Sequence, residues 1–598
     1  WVFSHNTRAL PWSRGCWVCS AESASQVMVR GCRGLGHASR RSIQRLEWRQ
    51  DHSSSFGRAC MLLGSLGRHV LVSDNVLGQL ARHLDSEEPS VQRARDLFPL
   101  RPPPSSCLDV SFGTVGQRRD MLDYVRGIVV VLNYLYGVKT VSGCAPDYSM
   151  PQRRALTHIV DRAVDFCQRL ANSDLGAWAE GLGLHCFEQS EMAKWPPLVS
   201  ARVDNLERAG GFDPLQFLDD ETRDLLNDPS RLFLFRGKGP GIHSKFTAGS
   251  RDEYISLVVR QLRARKIGLT SEVYSGGSVF VVHKSGGQLR EVWDGSALAN
   301  LTVRPPKPPG LASPCMFRHL EASETHPLRM AKRDGKCMFD QELLPPPLRK
   351  YMGRPAVGRE ELFSAGLTLE ELNSFLEDDC DNRSQVLYPV SRVWGMGFSW
   401  SSFVSQIAFT GLCTRAGFPY EALLAPDRKA PLDSSLAYCV ATDDVVILSN
   451  DAPGTTSYWA SKLDKTFLQH NVLNNSSKDL NDVTCGTAVG IDLVDGITWQ
   501  PPAHGEVRLL CAILDLLDGG MASPGALWSL LGSLQWYDLL VRCKLSVYDA
   551  AYTFARLMPK WSRVRVPADV QLEFLCSAIL AAFWVVDCRA PYLNTFFT

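Results

Sequence analysis

Three patterns in the sequence predict a protein of the α+β class. Two stretches read as β-hairpins, because apolar strand-forming runs flank a short polar turn at Gly277–Trp293 and at Tyr438–Leu448. Helical periodicity dominates elsewhere, between residues 121 and 170 and again after Ser523. The strand patterns and most of the helical patterns occupy different parts of the chain, as in α+β proteins.

The composition excludes a membrane-spanning protein and gives no global sign of a nucleic-acid partner. The apolar fraction of 45% and the charged fraction of 21% are those of a soluble globular protein, and 598 residues suffice for several domains. The formal net charge is only +1, so any basic surface must be local. The longest apolar runs, Gly127–Gly137 and Phe574–Val586, are too short to cross a bilayer.

Cysteine usage indicates a reducing, intracellular compartment and does not distinguish the nucleus from the cytoplasm. The 18 cysteines lack the regular spacing of a disulfide framework, which suits a reducing compartment. One group has ligand types that can hold zinc, although it lacks a second closely spaced pair, so free thiols are the alternative. Its members are Cys16, Cys19, Cys32 and His37. No signal peptide is visible, and the chain begins with Trp1, which we interpret as the sign of a fragment.

Apart from that group of possible zinc ligands, the N-terminal third of the sequence shows no pattern that indicates a catalytic or binding site. Residues 1–110 are rich in Arg and Ser and end in a proline run, which predicts a weakly ordered extension. Residues 111–230 are predicted to form a helical domain. One apolar stripe at helical spacing supports this domain: Leu156, Ile159, Val160, Ala163 and Cys167.

A basic hairpin follows. Residues 236–241 are Gly-rich but lack the spacing of a phosphate-binding P-loop, so a plain loop is predicted there. A helix is expected over residues 251–264. The hairpin at 277–293 then carries Lys284 and Arg290, which can clamp phosphates, with a solvated hairpin as the alternative.

The second hairpin carries two adjacent carboxylates at its tip. Asp443 and Asp444 are the main polar interruption between two strand-forming runs. Side-by-side anions repel each other, so a hard divalent cation is their natural partner. A solvated turn remains the alternative reading of an isolated Asp-Asp pair.

Further motifs lie between and after the hairpins. Asp334 has Phe339 five residues later, and Asp340 competes with it as a functional carboxylate. A Gly turn, residues 395–398, precedes an apolar helix. Lys478 comes before a predicted strand at Gly486–Asp492, and Ser523-Pro524 opens a helix by the cap-then-proline rule.

This order and spacing of motifs resembles the reverse transcriptases of retroelements. Among these enzymes, those of the DIRS-type retrotransposons have the most similar sequence pattern. The resemblance covers about residues 250–565 and implies a right-hand polymerase with fingers, palm and thumb, preceded by the helical N-terminal extension. The implied parts are fingers at 231–333, palm at 334–494 with an insertion at about 352–385, thumb at 495–565, and at 566–598 the start of a connection toward a missing RNase H domain.

The resemblance assigns roles residue by residue. Asp334, Asp443 and Asp444 match the catalytic, metal-binding carboxylates. Lys284 and Arg290 match the triphosphate-binding fingers hairpin, and Phe339 matches the residue that excludes a 2′-hydroxyl. The remaining matches are Met396 and Gly397 in the template-gripping turn, Lys478 at the nucleotide, and Gly490 in the primer grip.

The implied activity is RNA-directed DNA polymerisation. The cofactor would be two Mg²⁺ ions, with Mn²⁺ as an alternative, and the partners would be dNTPs and an RNA or DNA template with primer. An RNA-dependent RNA polymerase is disfavoured by Phe339, since that enzyme needs space for the ribose hydroxyl. The pattern leaves the oligomeric state undetermined.

Several positions depart from the family pattern. Ala441 replaces the aromatic residue usual before the paired aspartates, Met396 replaces a common Gln, and Ser296 stands where an Arg is usual. The interval from Asp334 to Asp443 is longer than in retroviral enzymes, which we assign to the insertion. The alternative hypothesis is therefore a decayed or domesticated relative that binds nucleic acid without polymerising.

Overall fold

The computed structural model describes residues 54–73, 75–86, 97–109, 111–138, 148–173, 182–187, 196–242, 250–378, 380–381, 383–431, 433–557 and 562–589. The protein mixes 51% helix with 16% strand, which confirms the α+β class. The candidate zinc ligands near the N-terminus and the predicted approach to an RNase H domain after residue 589 lie outside the described residues.

The helices are numbered in chain order within the described residues. They are α1 (Ser55–Leu71), α2 (Val76–Ser86), α3 (Val115–Leu135), α4 (Met150–Ala171), α5 (Asp220–Asn227), α6 (Pro229–Leu232), α7 (Arg251–Arg263), α8 (Ser296–Ala299), α9 (Met338–Gln341), α10 (Arg359–Ser364), α11 (Leu369–Phe375), α12 (Ser401–Arg415), α13 (Thr455–Gln469), α14 (Ala503–Gly519), α15 (Pro524–Asp538), α16 (Asp549–Leu557) and α17 (Ala568–Ile579).

The strands are β1 (Ile267–Thr270), β2 (Ser278–His283), β3 (Leu289–Asp294), β4 (Arg329–Asp334), β5 (Val357–Gly358), β6 (Val386–Ser391), β7 (Ala437–Ala441), β8 (Asp444–Ser449), β9 (Leu480–Val483), β10 (Gly486–Ala488), β11 (Ile491–Val494), β12 (Thr498–Gln500), β13 (Met521–Ala522), β14 (Val564–Arg565) and β15 (Val586–Asp587). They form sheets with the orders β1-β6-β5, β10-β11-β12-β15, β13-β14, β2-β3 and β7-β8-β4-β9.

The chain folds into two compact units. The first comprises Trp1–Gln189, Ala503–Ser533 and Ser546–Phe583, and the second comprises Ser190–Pro502, Leu534–Leu545 and Trp584–Thr598. Helices that the sequence places in a thumb, α14 and α16, thus belong to the same unit as the N-terminal helices.

In the first unit, α1 and α3 pack at very short range. A Cβ atom on Gly67 would lie 2.4 Å from the carbonyl carbon of Asp123, so only glycine allows this approach. The buried Glu506 of α14 accepts two hydrogen bonds from the Arg169 guanidinium of α4, at 3.0 and 2.7 Å. The expected weakly ordered extension is therefore wrong for residues 55–86, where buried apolar faces make α1 and α2 regular helices.

In the second unit, the sheet β7-β8-β4-β9 is covered on both faces. One face packs against α12 and α13 through Tyr438, Ile447, Phe409 and Phe467. The opposite face carries Val446 and Leu448 and joins a core in which the rings of Phe317 and Trp499 stack 3.9 Å apart. This double cover holds the strand ends in fixed register.

Most local predictions in the second unit are confirmed. Helix α7, the β2-β3 hairpin, the β7-β8 hairpin and the helix after the Gly turn all form, and residues 236–241 contain neither helix nor strand. The predicted single strand Gly486–Asp492 is wrong, because Val489 and Gly490 take positive φ values of 53° and 72° and fold the chain back between β10 and β11. None of the described helices combines the length and apolar character needed to cross a membrane.

Candidate active site

Strand pairing brings the three predicted carboxylates to one end of the sheet. In the antiparallel pair of β4 and β8, Asp334 stands directly opposite Asp444. Asp443 lies in the two-residue turn between β7 and β8, and its backbone carbonyl accepts a hydrogen bond from the N–H of Gly335, at 3.1 Å. Opposed residues of an antiparallel pair project to the same face, so the Asp334 and Asp444 side chains meet.

The turn that presents Asp443 is held from inside the protein. Its first residue, Thr442, has a φ of 63°, a left-handed conformation that costs a non-glycine residue about 1–2 kcal/mol. The fully buried Gln406 of α12 accepts a hydrogen bond from the Thr442 N–H at 2.7 Å and donates one to the Val440 carbonyl at 3.2 Å. The Gln406 side chain thus fixes the backbone of the turn.

Asp334 is a buried, well-hydrogen-bonded carboxylate. Its oxygens accept from Asn475 Nδ2 at 2.9 Å and from Lys478 Nζ at 3.1 and 3.0 Å. Burial raises the pKa of Asp334, but hydrogen bonds from Asp444, Asn475 and Lys478 outweigh burial, so the net pKa shift is downward. Asp334 is therefore the charged member of its pair with Asp444.

Asp444 keeps its proton to a higher pH than Asp334 does. Burial, the hydrogen bond to Asp334 and the charge of Asp443 raise its pKa to about 7, although Lys332 Nζ lies 3.1 Å from its Oδ2 and opposes the shift. Burial and the charge of Asp334 also raise the pKa of Asp443, while Lys478 and Arg290 oppose this. For Asp443 and Asp444, burial and the charges of the neighbouring carboxylates thus outweigh the opposing effect of Lys478 and Lys332.

The donor set fits a divalent cation. All three side chains offer hard oxygen ligands, and Asp444 Oδ1 is buried with no hydrogen-bond partner among the described residues. A cation would satisfy that oxygen and would offset the burial and the mutual repulsion that raise the pKa values of Asp443 and Asp444. In this structure, Lys332 and Lys478 form ion pairs with Asp444 and Asp334. Among the described residues, no group of three His, Cys, Asp or Glu side chains is arranged to hold a metal ion.

The two cations of the basic hairpin have different surroundings. Arg290 on β3 is exposed, and its charge lowers the pKa of Asp443, which places it within electrostatic reach of the carboxylates. Lys284, just after β2, is ion-paired with Asp204. Of these two cations, Arg290 has no ion pair in the described part of the chain, whereas Lys284 has one.

The structure separates Asp334 from its competitor Asp340. Asp340 Oδ1 lies 2.9 Å from the buried Lys266 Nζ, which also contacts Glu291 Oε2 at 3.1 Å. Asp340 thus belongs to a buried network of ion pairs with Lys266 and Glu291. The neighbouring Phe339 is half-buried and packs against the apolar core that surrounds α7.

The other predicted site residues lie at turns. The Met396 carbonyl accepts from the Trp293 N–H at 3.2 Å, and a Cβ on Gly397 (φ 113°) would lie 2.1 Å from the Trp293 carbonyl oxygen, so the Gly turn abuts the end of β3. Gly490 lies in the β10-β11 turn beside Trp536, whose indole N–H donates to the Val489 carbonyl at 3.0 Å. No hydrogen bond or ion pair joins Phe339, Met396, Gly397 or Gly490 to the three carboxylates within the described residues.

Three neighbours of the carboxylates were missed from the sequence. Lys332 stands two residues before Asp334, and the two-residue period of a strand would have placed both on one face. Asn475 and Gln406 carry no comparable signal, because their roles depend on how a loop and a helix pack against the strand ends.

Comparison with known proteins gives no independent assignment. The sequence matches no protein-family model, and no curated protein matches it significantly.

Proposed function

We propose that this protein is an RNA-directed DNA polymerase of a retroelement, with fingers, palm and thumb arranged as a right hand. The observation that carries the proposal is the pairing of Asp334 with Asp444 across β4 and β8, with Asp443 in the adjoining turn. Carboxylates far apart in sequence thus meet on a sheet end, as two-metal nucleotidyl transfer requires.

Asp334, Asp443 and Asp444 would hold two Mg²⁺ ions, or Mn²⁺ ions in their place. Bound ions would activate the primer 3′-hydroxyl for attack on the α-phosphate of a dNTP and would neutralise the pyrophosphate leaving group. For this, the Asp444 carboxyl must be ionised, and Lys478 must leave the Asp334 carboxylate. Lys478, whose side chain is 53% exposed, is then free to approach the substrate phosphates.

The remaining residues would select and orient the nucleotide. Arg290 would bind the triphosphate by its guanidinium fork, and Lys284 would contribute a point charge. Phe339 would lie against the sugar and exclude a 2′-hydroxyl, so dNTPs are the proposed substrates. Met396, Gly397 and Gly490 would contact template and primer. These contacts would be mostly to phosphates and therefore salt-sensitive.

Primer extension tests the proposal. We expect the wild-type protein to extend a primer on an RNA template with dNTPs and Mg²⁺, and Asp443→Asn to abolish extension. Asp451→Asn is the matched control, since Asp451 is an exposed aspartate just after β8. Wild-type product no greater than that of Asp443→Asn would contradict the proposal.

A second candidate is a nucleic-acid-binding protein that no longer polymerises. The ion pairs of Lys478 with Asp334 and of Lys332 with Asp444 favour it, because they already neutralise part of the acidic site, as does Ala441. Tight binding of an RNA–DNA duplex, unchanged by Asp443→Asn and without primer extension, would support this alternative.

A further inference from the structure

The segment before α5 is fastened along the basic hairpin. Val203 bridges Leu289 of β3 in parallel, and the Asp204 N–H donates to the Leu289 carbonyl at 2.9 Å. The Arg202 guanidinium donates to the Gly287 carbonyl in the hairpin turn, at 2.8 and 2.5 Å. Backbone contacts of Val203 and Asp204 and the side chain of Arg202 thus position residues 202–204 on the hairpin.

This attachment delivers a carboxylate to Lys284. Asp204 Oδ2 pairs with Lys284 Nζ and accepts a hydrogen bond from Cys337 Sγ at 3.1 Å. The side chains of Asp204 and Lys284 are 20% and 25% exposed, so the pair is largely desolvated. The Asp204 carboxylate therefore links the basic hairpin to Cys337, which lies three residues after Asp334.

A neutralised lysine is a poor anion-binding group. While Asp204 holds Lys284, the local charge sums to zero, and an incoming phosphate must compete with a carboxylate for the same ammonium. Arg290 on the facing strand has no such partner among the described residues.

Asp204 has an alternative position to occupy. A cavity of about 390 Å³ beside the ion pair is lined by Arg202, Asp204, Arg260 and residues 286–288. Both guanidinium groups now donate to backbone carbonyls: Arg202 to Gly287, and Arg260 to Ser200 and Val203. A carboxylate turned into the cavity would be a stronger acceptor for either arginine than a neutral carbonyl.

We propose that Asp204 is a latch that sets the affinity of the basic hairpin for polyphosphate, by competing with that anion for Lys284. The inference rests on the proposed function for the identity of the anion, a nucleoside triphosphate. In the unliganded protein Asp204 occupies Lys284, and a triphosphate displaces it toward Arg202 and Arg260.

Calorimetric titration of the full chain with inorganic tripolyphosphate, without metal or nucleic acid, tests the latch. Asp204→Asn keeps the side-chain shape and an acceptor for Cys337 but removes the charge. We expect this variant to bind tripolyphosphate on the order of tenfold more tightly than wild type. Glu207→Gln removes an exposed charge from the same segment and should leave binding unchanged.

A double-mutant cycle separates competition at Lys284 from a general charge effect. In a Lys284→Gln background, Asp204→Asn should give no gain. Equal or weaker binding by Asp204→Asn, or an equal gain without Lys284, would overturn the inference.

The reactivity of Lys284 toward an amine-acylating reagent, read by mass spectrometry against the exposed Lys307, gives a second measurement. Asp204→Asn should raise the relative reactivity of Lys284, and unchanged reactivity would contradict the ion pair. Because neither measurement needs polymerisation, a protein that fails to extend primers could still show the latch, and an active polymerase could lack it.

Discussion

At the scale of single residues, the raised pKa of Asp444 makes the site sensitive to pH. The pKa of Asp444 is raised to about 7, above its unfolded value, so its protonation stabilises the folded state. That contribution is fully present below the unfolded pKa, about 3.9, and is lost as pH rises through 7.

We therefore predict that Asp444→Asn, which mimics the protonated side chain, is more stable than wild type at pH 8 in the presence of a chelator. The difference in the free energy of unfolding should shrink toward zero at pH 5. Chemical denaturation at both pH values measures it. A difference that does not change with pH would mean that Asp444 is not the group that holds the proton.

At the scale of elements, the β7-β8 turn depends on a helix that contributes no carboxylate. Gln406→Ala should cost about 1–3 kcal/mol in the free energy of unfolding, since it leaves the Thr442 N–H and the Val440 carbonyl without their partner. Primer extension should fall as well, because the turn positions Asp443. Ser402→Ala, at an exposed position of the same helix, is the control. Wild-type stability and activity in Gln406→Ala would show that the β7-β8 turn keeps its conformation without the Gln406 side chain.

The base of the basic hairpin rests on a buried charge network. Glu291 of β3 accepts hydrogen bonds from Lys266 at 3.1 Å and from Arg354 at 2.5 Å, and all three side chains are buried. Burial raises the pKa of Glu291, but the charges of Arg354 and Lys266 outweigh it and lower the pKa to about 2. The network holds the strand that carries Arg290.

Glu291→Gln should destabilise the protein by about 3–5 kcal/mol at pH 7, since it leaves two buried cations short of a counter-charge. A lowered pKa contributes stability above the unfolded value of about 4.3 that is lost as pH falls toward 2. The gap between wild type and variant should therefore narrow in acid, as denaturation at pH 7 and pH 3 can show. A gap of the same size at both pH values would contradict the assigned charge of Glu291.

The two hairpins and helices α7, α12 and α15 could be predicted because their signals are local. Alternation, turn residues and helical spacing lie within about twenty residues, and Ser523 caps α15 as the sequence suggests, by accepting from the Ala526 N–H at 3.1 Å. The sequence favoured Asp334 over Asp340 only through the spacing of Asp334 to the motifs that follow it. The partners Asn475, Gln406 and Asp204 could not be predicted, since each reaches its target from a distant part of the chain through packing.

At the scale of the whole molecule, the first unit joins distant parts of the sequence. Arg169 pairs with Glu506, and the Tyr124 hydroxyl donates to the Ile579 carbonyl at 2.9 Å. Helix α14 buries Leu510, Ile513 and other apolar residues in this unit. Nothing in the local pattern of residues 503–533 and 546–583 indicates that they pack with the N-terminal helices, whereas the resemblance implied a thumb at residues 495–565.

A chain that lacks residues 1–189 should therefore aggregate or lose the cooperative unfolding of α14 and α17, because their apolar faces lose most of their cover. Size-exclusion chromatography and thermal unfolding of the truncated and full chains measure this. A monomeric truncated protein with an unchanged melting temperature would show that residues 503–533 and 546–583 fold without residues 1–189.

The most direct test of the central claim is a manganese anomalous-scattering map from crystals of the protein soaked in Mn²⁺ above pH 7. We expect manganese peaks between the carboxylates of Asp334, Asp443 and Asp444, and their loss in Asp334→Asn crystals. Ordered carboxylates without manganese, while the ion binds elsewhere on the protein, would contradict it.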